Sequence, residues 1–273
     1  MLKLIAGDGT ELHGYSWIPE NEPKAVICLI HGLGEHAGRY QWVADFFNEN
    51  QFGVYSYDQR GHGRSPGKRG HARYENLLED IESLLMVARV NHLDTPIYLY
   101  GHSWGGNLVS HFILNRPTNE LQAAVLTSPW LKLSREPNGM QLKMAKLMAK
   151  LYPSFTQSNG LDIADLSRDS EVGKAYKADP LVHDQISAGL FIEVQRAGSQ
   201  SIELAKHLKL PTLVVHGSND KITSAAASQE FAEAGNSNSN YHQWPEMRHE
   251  THNEIGKEEV LNYTLNWMND LLA

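Results

Sequence analysis

Cysteine is nearly absent: Cys28 is the single thiol in 273 residues. A lone thiol rules out an internal disulfide framework. Its place in the apolar run Ala25–Ile30 reads as a buried strand residue rather than a nucleophile. No apolar run approaches the length needed to span a bilayer as a helix. Met1-Leu2-Lys3-Leu4-Ile5-Ala6-Gly7-Asp8 meets a charge and a turn too early for the apolar core of a signal peptide. Both point to a cytoplasmic protein. Positive charge is also short, with 24 Lys and Arg against 32 Asp and Glu, a formal charge of −8. That balance argues against a nucleic-acid-binding face and against purely electrostatic attachment to anionic lipid. Internal repeats and low-complexity tracts are missing too, and Gly235–Asn240 reads as a polar surface loop.

What is present is the composition of a globular chain, 41% hydrophobic and 21% charged, which argues against disorder. Fourteen histidines mean that mild acid would erase much of the negative charge. Apolar runs of strand length alternate with longer helical patterns. The runs predict strands at Glu11–Ile18, Ala25–Ile30, Gly53–Tyr57, Ile97–Tyr100, Ala123–Thr127, Thr212–His216 and Tyr241–Trp244. Helices are expected at Tyr40–Asn50, Tyr74–Asn91, Trp104–Arg116, Ser224–Ala234 and Lys257–Leu272. Nearly all-apolar middle strands alternating with helices imply a mostly parallel sheet covered on both faces. The rhythm breaks between about Leu131 and His207, where no convincing strand appears. Helical segments at Met140–Tyr152 and near Gln185–Arg196 flank a loop at Pro153–Asp169, which suggests a helical lid inserted into an α/β core. The expected division is core over 1–130, inserted cap over 131–206, and core again over 207–273.

Chemistry concentrates where a strand runs into Gly101-His102-Ser103-Trp104-Gly105 and then a helix. Serine at a sharp strand-to-helix turn presents its Oγ above the sheet, and the flanking glycines let neighbouring backbone approach. The helix N-terminus beyond it favours developing negative charge. Such a serine needs a base, and this arrangement predicts the chain order Ser, acid, His. Leu213-Val214-Val215-His216-Gly217-Ser218-Asn219-Asp220 supplies Asp220 after a late buried strand, with Glu246 and Asp162 as weaker competitors. The loop after the last strand offers His249 and His252, and His249 is preferred because it lies nearer the strand end. His249-Glu250-Thr251-His252 is one residue too short for the metalloprotease His-Glu-x-x-His pattern, so no metal or other cofactor is expected. Oxyanion donors are expected at the backbone amides of Trp104 and of Leu33, within His31-Gly32-Leu33-Gly34-Glu35-His36.

Together these residues resemble the monoglyceride lipase and lysophospholipase-like branch of the α/β hydrolases, grouped with serine aminopeptidase-like hydrolases. The likeness runs through His31–Tyr40, Asp58-Gln59-Arg60-Gly61-His62-Gly63-Arg64-Ser65, the serine turn, Leu166-Ser167-Arg168, Asp179-Pro180-Leu181, Gly217–Asp220 and His249–Glu254. It implies the same nucleophile, acid, base and oxyanion amides. It also implies that Glu35, Arg39, Tyr176 and His252 lie near the polar head of a glycerol ester, although Glu35 and Arg39 could equally pair and brace a loop. One departure is Trp104, where many members carry methionine, and a bulky indole there is expected to narrow or reshape the acyl entrance.

The expected activity is hydrolysis of monoacylglycerols or similar single-chain lipid esters through an acyl-enzyme. Alternatives are a lysophospholipase, a broad carboxylesterase, a serine aminopeptidase, or a non-catalytic receptor on the same fold. Met140, Leu142, Met144, Leu147, Met148 and Leu151 crowd one lid helix, which reads either as an adaptable acyl entrance or as lid core. Lys143, Lys146 and Lys150 on the same helix suit transient contact of a mobile lid with a membrane or micelle surface.

Overall fold

The computed structural model describes residues 2–273. Eight strands form one sheet: β1 (Leu2–Ile5), β2 (Glu11–Trp17), β3 (Ala25–Ile30), β4 (Phe52–Tyr57), β5 (Ile97–His102), β6 (Leu121–Thr127), β9 (Thr212–Gly217) and β10 (Ser239–Trp244). Their order is β1-β2-β4-β3-β5-β6-β9-β10. The first two pairings, β1 with β2 and β2 with β4, are antiparallel, and every pairing from β4 to β10 is parallel. This is the α/β-hydrolase fold. Strands β3, β4, β5 and β9 are buried along their whole length, which is why they read as continuous apolar runs rather than alternating ones.

Helices cover both faces. One face carries α1 (Gln41–Glu49) and α8 (Lys257–Asp270), whose Val43, Phe47, Leu261, Leu265 and Met268 pack on Ile27, Tyr98 and Val215. The other carries α2 (Tyr74–Asn91), α3 (Trp104–Asn115) and α7 (Ala225–Ala234), with Leu77, Ile81, Leu108, Phe112 and Phe231 on Val26, Leu99 and Leu126. Helix α8 is amphipathic, laying Leu261, Leu265 and Met268 on the sheet.

Between β6 and β9 the chain makes α4 (Gly139–Leu151), β7 (Thr156–Ser158), α5 (Ser170–Ala178), β8 (Gln185–Ser187) and α6 (Ala188–Leu204). The sequence reading needs correction here. Gln185–Ser187 is not helix but pairs antiparallel with Thr156–Ser158, and the helix begins at Ala188, where the Ser187 hydroxyl caps the Leu190 amide. Short polar three-residue strands carry no periodic signal, and the four-residue edge strand β1 was likewise not expected. Helix α6 lies along α3: Asn107 Nδ2 donates to Val194 O at 3.0 Å, and a Cβ on Gly198 would meet Leu131 O at 2.2 Å. Helix α4, by contrast, contains no buried residue, so its Met/Leu stripe is not lid core. An Asn138–Gln141 capping box starts it. Among the described residues no helix is long and apolar enough to cross a membrane.

Candidate active site

Ser103 sits between β5 and α3 with φ 54° and ψ −117°, a conformation L-residues rarely adopt. Its neighbours hold it there: its N–H donates to Thr127 O at 2.9 Å, and its carbonyl accepts from Trp130 N at 2.8 Å and Asn107 N at 3.0 Å. Glycine is required two residues on, because a Cβ at Gly105 would lie 2.1 Å from Ile30 O. Across the gap, a Cβ at Gly32 would fall 3.3 Å from Ser103 Cβ. The β3 loop thus approaches the serine as closely as the chain allows.

The structure brings Ser103, His249 and Asp220 together. His249 Nε2 lies 2.8 Å from Ser103 Oγ, and His249 Nδ1 lies 2.7 Å from Asp220 Oδ2. Asp220 Oδ1 accepts the Ile222 and Thr223 amides at 2.7 and 3.0 Å, which fixes the carboxylate's plane. Burial works against ionising Asp220, but His249 and His216 outweigh it and hold its pKa well below the usual carboxylate range. Burial likewise opposes a charge on His249. The Asp220 carboxylate overcomes this and raises the pKa of His249 above the ordinary imidazole value. Glu246 and Asp162, the competing acids, do not reach the imidazole: Glu246 lies in the outer turn with φ 60°, paired with Arg168, and Asp162 caps a 3-10 turn.

His252 does not touch Ser103. It stacks on Tyr40 with ring centroids 5.0 Å apart, meets His102 edge-on at 4.7 Å, and burial lowers its pKa to about 4. Among the described residues the Leu33 and Trp104 amides donate to no protein acceptor, as an oxyanion site requires. The Trp104 indole is completely buried in the core under the turn, 5.0 Å from the His62 ring, and does not line the cavity above Ser103. The expectation that it narrows the acyl entrance is therefore corrected. A side chain at the first position of α3 points back into the core here, because the space above the serine belongs to the backbone amide.

A cavity of about 260 Å³ opens above Ser103, walled by Leu33, Glu35, Trp130, Leu166, Tyr176 and Glu250 among others. Glu35 and Tyr176 thus line the cavity above Ser103. Arg39 and His252 stand behind this wall, not on it. Arg39 grips Glu250 with two bonds of 2.8 Å, pairs with Glu35, and lies 4.8 Å from the centre of the Tyr176 ring. Glu35 is filled as well, its Oε1 accepting Gly32 N and Tyr40 OH at 2.7 Å each. The Leu166–Arg168 and Asp179 motifs act as ties: Glu250 N donates to Leu166 O at 2.8 Å, Arg168 pairs with Glu254 at 3.0 Å, and Asp179 with His36 at 2.9 Å. A second cavity of about 490 Å³, lined by Met144, Met148, Phe155, Ile186 and Phe191, shares Trp130, Leu133, Arg135 and Asn159 with the first. Among the described residues no group of His, Cys, Asp and Glu is placed to hold a metal ion.

Sequence reasoning missed Glu250, although it adjoins His249, and it missed His216, four residues before Asp220 on the end of β9. His216 Nε2 lies 2.9 Å from the same Asp220 oxygen that His249 uses.

Residues 21–256 match the family described as "Serine aminopeptidase, S33". An uncharacterized abhydrolase domain-containing protein of Dictyostelium discoideum is 38% identical over 98% of this chain, which spans 28% of that protein's length. A monoacylglycerol lipase of Mycolicibacterium smegmatis is 36% identical over 92% of this chain and 90% of its own. The crystal structure of Paleococcus ferrophilus monoacylglycerol lipase superposes with a TM-score of 0.85 at 32% identity, covering 96% of this chain and 98% of that one. The chain belongs to the monoglyceride lipase-like family of α/β hydrolases, a family of lipases and esterases.

Proposed function

We propose that the protein hydrolyses monoacylglycerols or similar single-chain lipid esters, with Ser103 as nucleophile, His249 as base and Asp220 as its orienting acid. The unbroken chain Ser103 Oγ–His249–Asp220, at 2.8 and 2.7 Å, beneath a cavity that shares wall residues with a mostly apolar one carries this reading. Ser103 Oγ attacks the ester carbonyl while His249 Nε2 takes its proton. The Leu33 and Trp104 amides receive the oxyanion, an interaction worth about 2.7–4 kcal/mol per donor in comparable enzymes. His249 then protonates the departing alcohol, and a water molecule repeats the sequence on the acyl-enzyme. The acyl chain runs toward Met144, Met148 and Phe191, and the glycerol head lies against Glu35 and Tyr176.

In this reading 131–206 forms the cap, and its outer part, α4, meets the lipid surface. Met140, Leu147 and Leu151 are each at least half exposed, at 80%, 50% and 70%, and Lys143, Lys146 and Lys150 accompany them. An apolar stripe flanked by lysines suits extraction of a poorly soluble ester by a protein of formal charge −8.

The wall chemistry favours a neutral head over a phosphodiester one. Two buried carboxylates, Glu35 and Glu250, share one guanidinium, so a further anion beside them meets net repulsion. Two cations reach the cavity, Arg135 and Lys221, the latter paired with Asp165 at 3.5 Å, and Asp162 and Asp165 add two further carboxylates against them. Glu35 and Glu250 are already filled by Gly32, Tyr40 and Arg39, so neither is dedicated to the ammonium of an aminopeptidase substrate. The test is initial-rate hydrolysis of monoacylglycerols, matched lysophospholipids, p-nitrophenyl esters and aminoacyl amides, with fluorophosphonate labelling of Ser103. Monoacylglycerol should exceed lysophospholipid by at least about tenfold in kcat/KM. A preference for lysophospholipid or amide would overturn the substrate, and absence of labelling would overturn the mechanism.

A further inference from the structure

Asp220 Oδ2 serves two imidazoles. His249 Nδ1 lies 2.7 Å from it on one side and His216 Nε2 lies 2.9 Å away on the other, with Thr223 Oγ1 at 2.8 Å. An ionised carboxylate oxygen only accepts, so both ring nitrogens donate to it. His216 is completely buried at the end of β9, and its Nδ1 is held by Ser228 Oγ of α7 at 2.9 Å. Ser228 is itself completely buried. The hydrogen-bonded chain therefore does not end at Asp220 but runs on through His216 to Ser228, beneath the sheet edge and away from the cavity.

We propose that His216 is a positioning residue for ester hydrolysis: its Nε2–H fixes the far side of Asp220 Oδ2 and takes up part of the negative charge that the oxygen would otherwise offer to His249. This rests on the esterase reading above. Two consequences follow. The carboxylate cannot swing away from His249, because Oδ1 is pinned by two amides and Oδ2 by His216 together with the Thr223 hydroxyl. Shared between donors, Oδ2 also stabilises the His249 imidazolium less than an undivided oxygen would, which keeps the imidazole free to accept the serine proton nearer neutral pH. The remaining charged or titratable groups facing His249 are Glu250, Glu35 and Arg39 on the cavity side, with His102 and His252 packed beside it. None of these touches Asp220 Oδ2, so removing His216 leaves them in place.

The test is the pH profile of kcat/KM on a soluble ester for wild type, His216→Leu, His216→Gln and Ser228→Ala. His216→Leu should move the midpoint of the acid limb upward by about half to one pH unit. The rate should then fall about three- to tenfold below the midpoint and change less than about twofold on the alkaline plateau. His216→Gln, whose amide can donate to the same oxygen, should restore most of the wild-type profile. Ser228→Ala, which only frees the imidazole to turn, should shift the midpoint in the same direction by less, and it keeps the proposal testable if His216→Leu fails to fold. Lower melting temperatures with an unmoved midpoint in every folded variant would overturn it, as a merely structural bond predicts. Wild type and Ser103→Ala run alongside separate the two levels: no ester hydrolysis by wild type, or full activity in Ser103→Ala, would remove the reading of an esterase acting through Ser103, whereas an active wild type and an inactive Ser103→Ala with unmoved His216 profiles remove only this inference.

Discussion

Arg39 binds both carboxylate oxygens of Glu250, Nη1 to Oε1 and Nη2 to Oε2, each at 2.8 Å across 211 positions of sequence. One residue follows the β3 loop and the other adjoins His249, so this fork ties the β3 loop to the loop that carries His249. Of the two readings open for Arg39 in the sequence, brace and head-group contact, the geometry supports the brace.

Replacing Arg39 with methionine should leave Glu250 buried without its counter-charge and destabilise the fold by about 3–5 kcal/mol, read as a lower urea midpoint. Adding Glu250→Gln should recover part of that loss. An unchanged midpoint with a raised KM would instead place Arg39 on the substrate.

Ser103→Ala should keep its melting temperature and lose ester hydrolysis by a factor of about 10⁶. Asp220→Asn, which spares the shape but not the charge, should cost about 10⁴. Residual rates of a few per cent in the first, or losses below about tenfold in the second, would contradict the assignment.

The two loop histidines should separate. His249→Ala is expected to approach the Ser103→Ala loss. His252→Phe, which preserves stacking on Tyr40, should lower kcat/KM by less than about tenfold. Exchanged phenotypes would mean that the loop rearranges in solution.

Acid should act on both rate and stability. Activity needs neutral His249, whose pKa is raised, so kcat/KM should fall on acidification with a midpoint above the ordinary imidazole value. His252 and His183, each lowered to about 4 mainly by burial, stay neutral in the fold while the unfolded chain takes up their protons. His62 and His102 are lowered for the same reason. Stability should therefore drop as pH falls from about 6.5 toward 4. The raised pKa of His249 works the other way, contributing stability below its unfolded value that is lost as pH rises through its folded one. Four groups outweigh one, and urea midpoints at pH 7 and pH 5 should show the lower value at pH 5.

Helix α4 offers an exposed stripe and, beside it, a part-buried Met148 to test apart. Met140, Leu147 and Leu151 to serine should cut hydrolysis of micellar long-chain monoacylglycerol at least about fivefold while sparing a short soluble ester. Met148, which lines the second cavity and is part-buried, should on substitution by tryptophan alter chain-length preference in both formats. Equal losses on all substrates with a lower melting temperature would remove the surface role.

Local pattern settled a good deal of this protein. Continuous apolar runs made β3, β5 and β9 legible because parallel strands covered on both faces bury every side chain. Ser103, Asp220 and His249 were legible as candidates because each follows a strand end, and packing brings them into one hydrogen-bonded chain. Short polar β7 and β8 were not, since their pairing partners lie outside any sequence window. Nor could a linear pattern say where side chains aim. Trp104 turns into the core, Arg39 and His252 retreat behind the wall, and α4 keeps its apolar stripe exposed, because each direction is set by segments packed from elsewhere in the chain. The same holds for His216, whose bond to Asp220 spans only four residues but matters because His249, 29 positions further on, arrives at the same oxygen. Sequence supplies the groups and their order; packing alone decides which of them share a hydrogen bond.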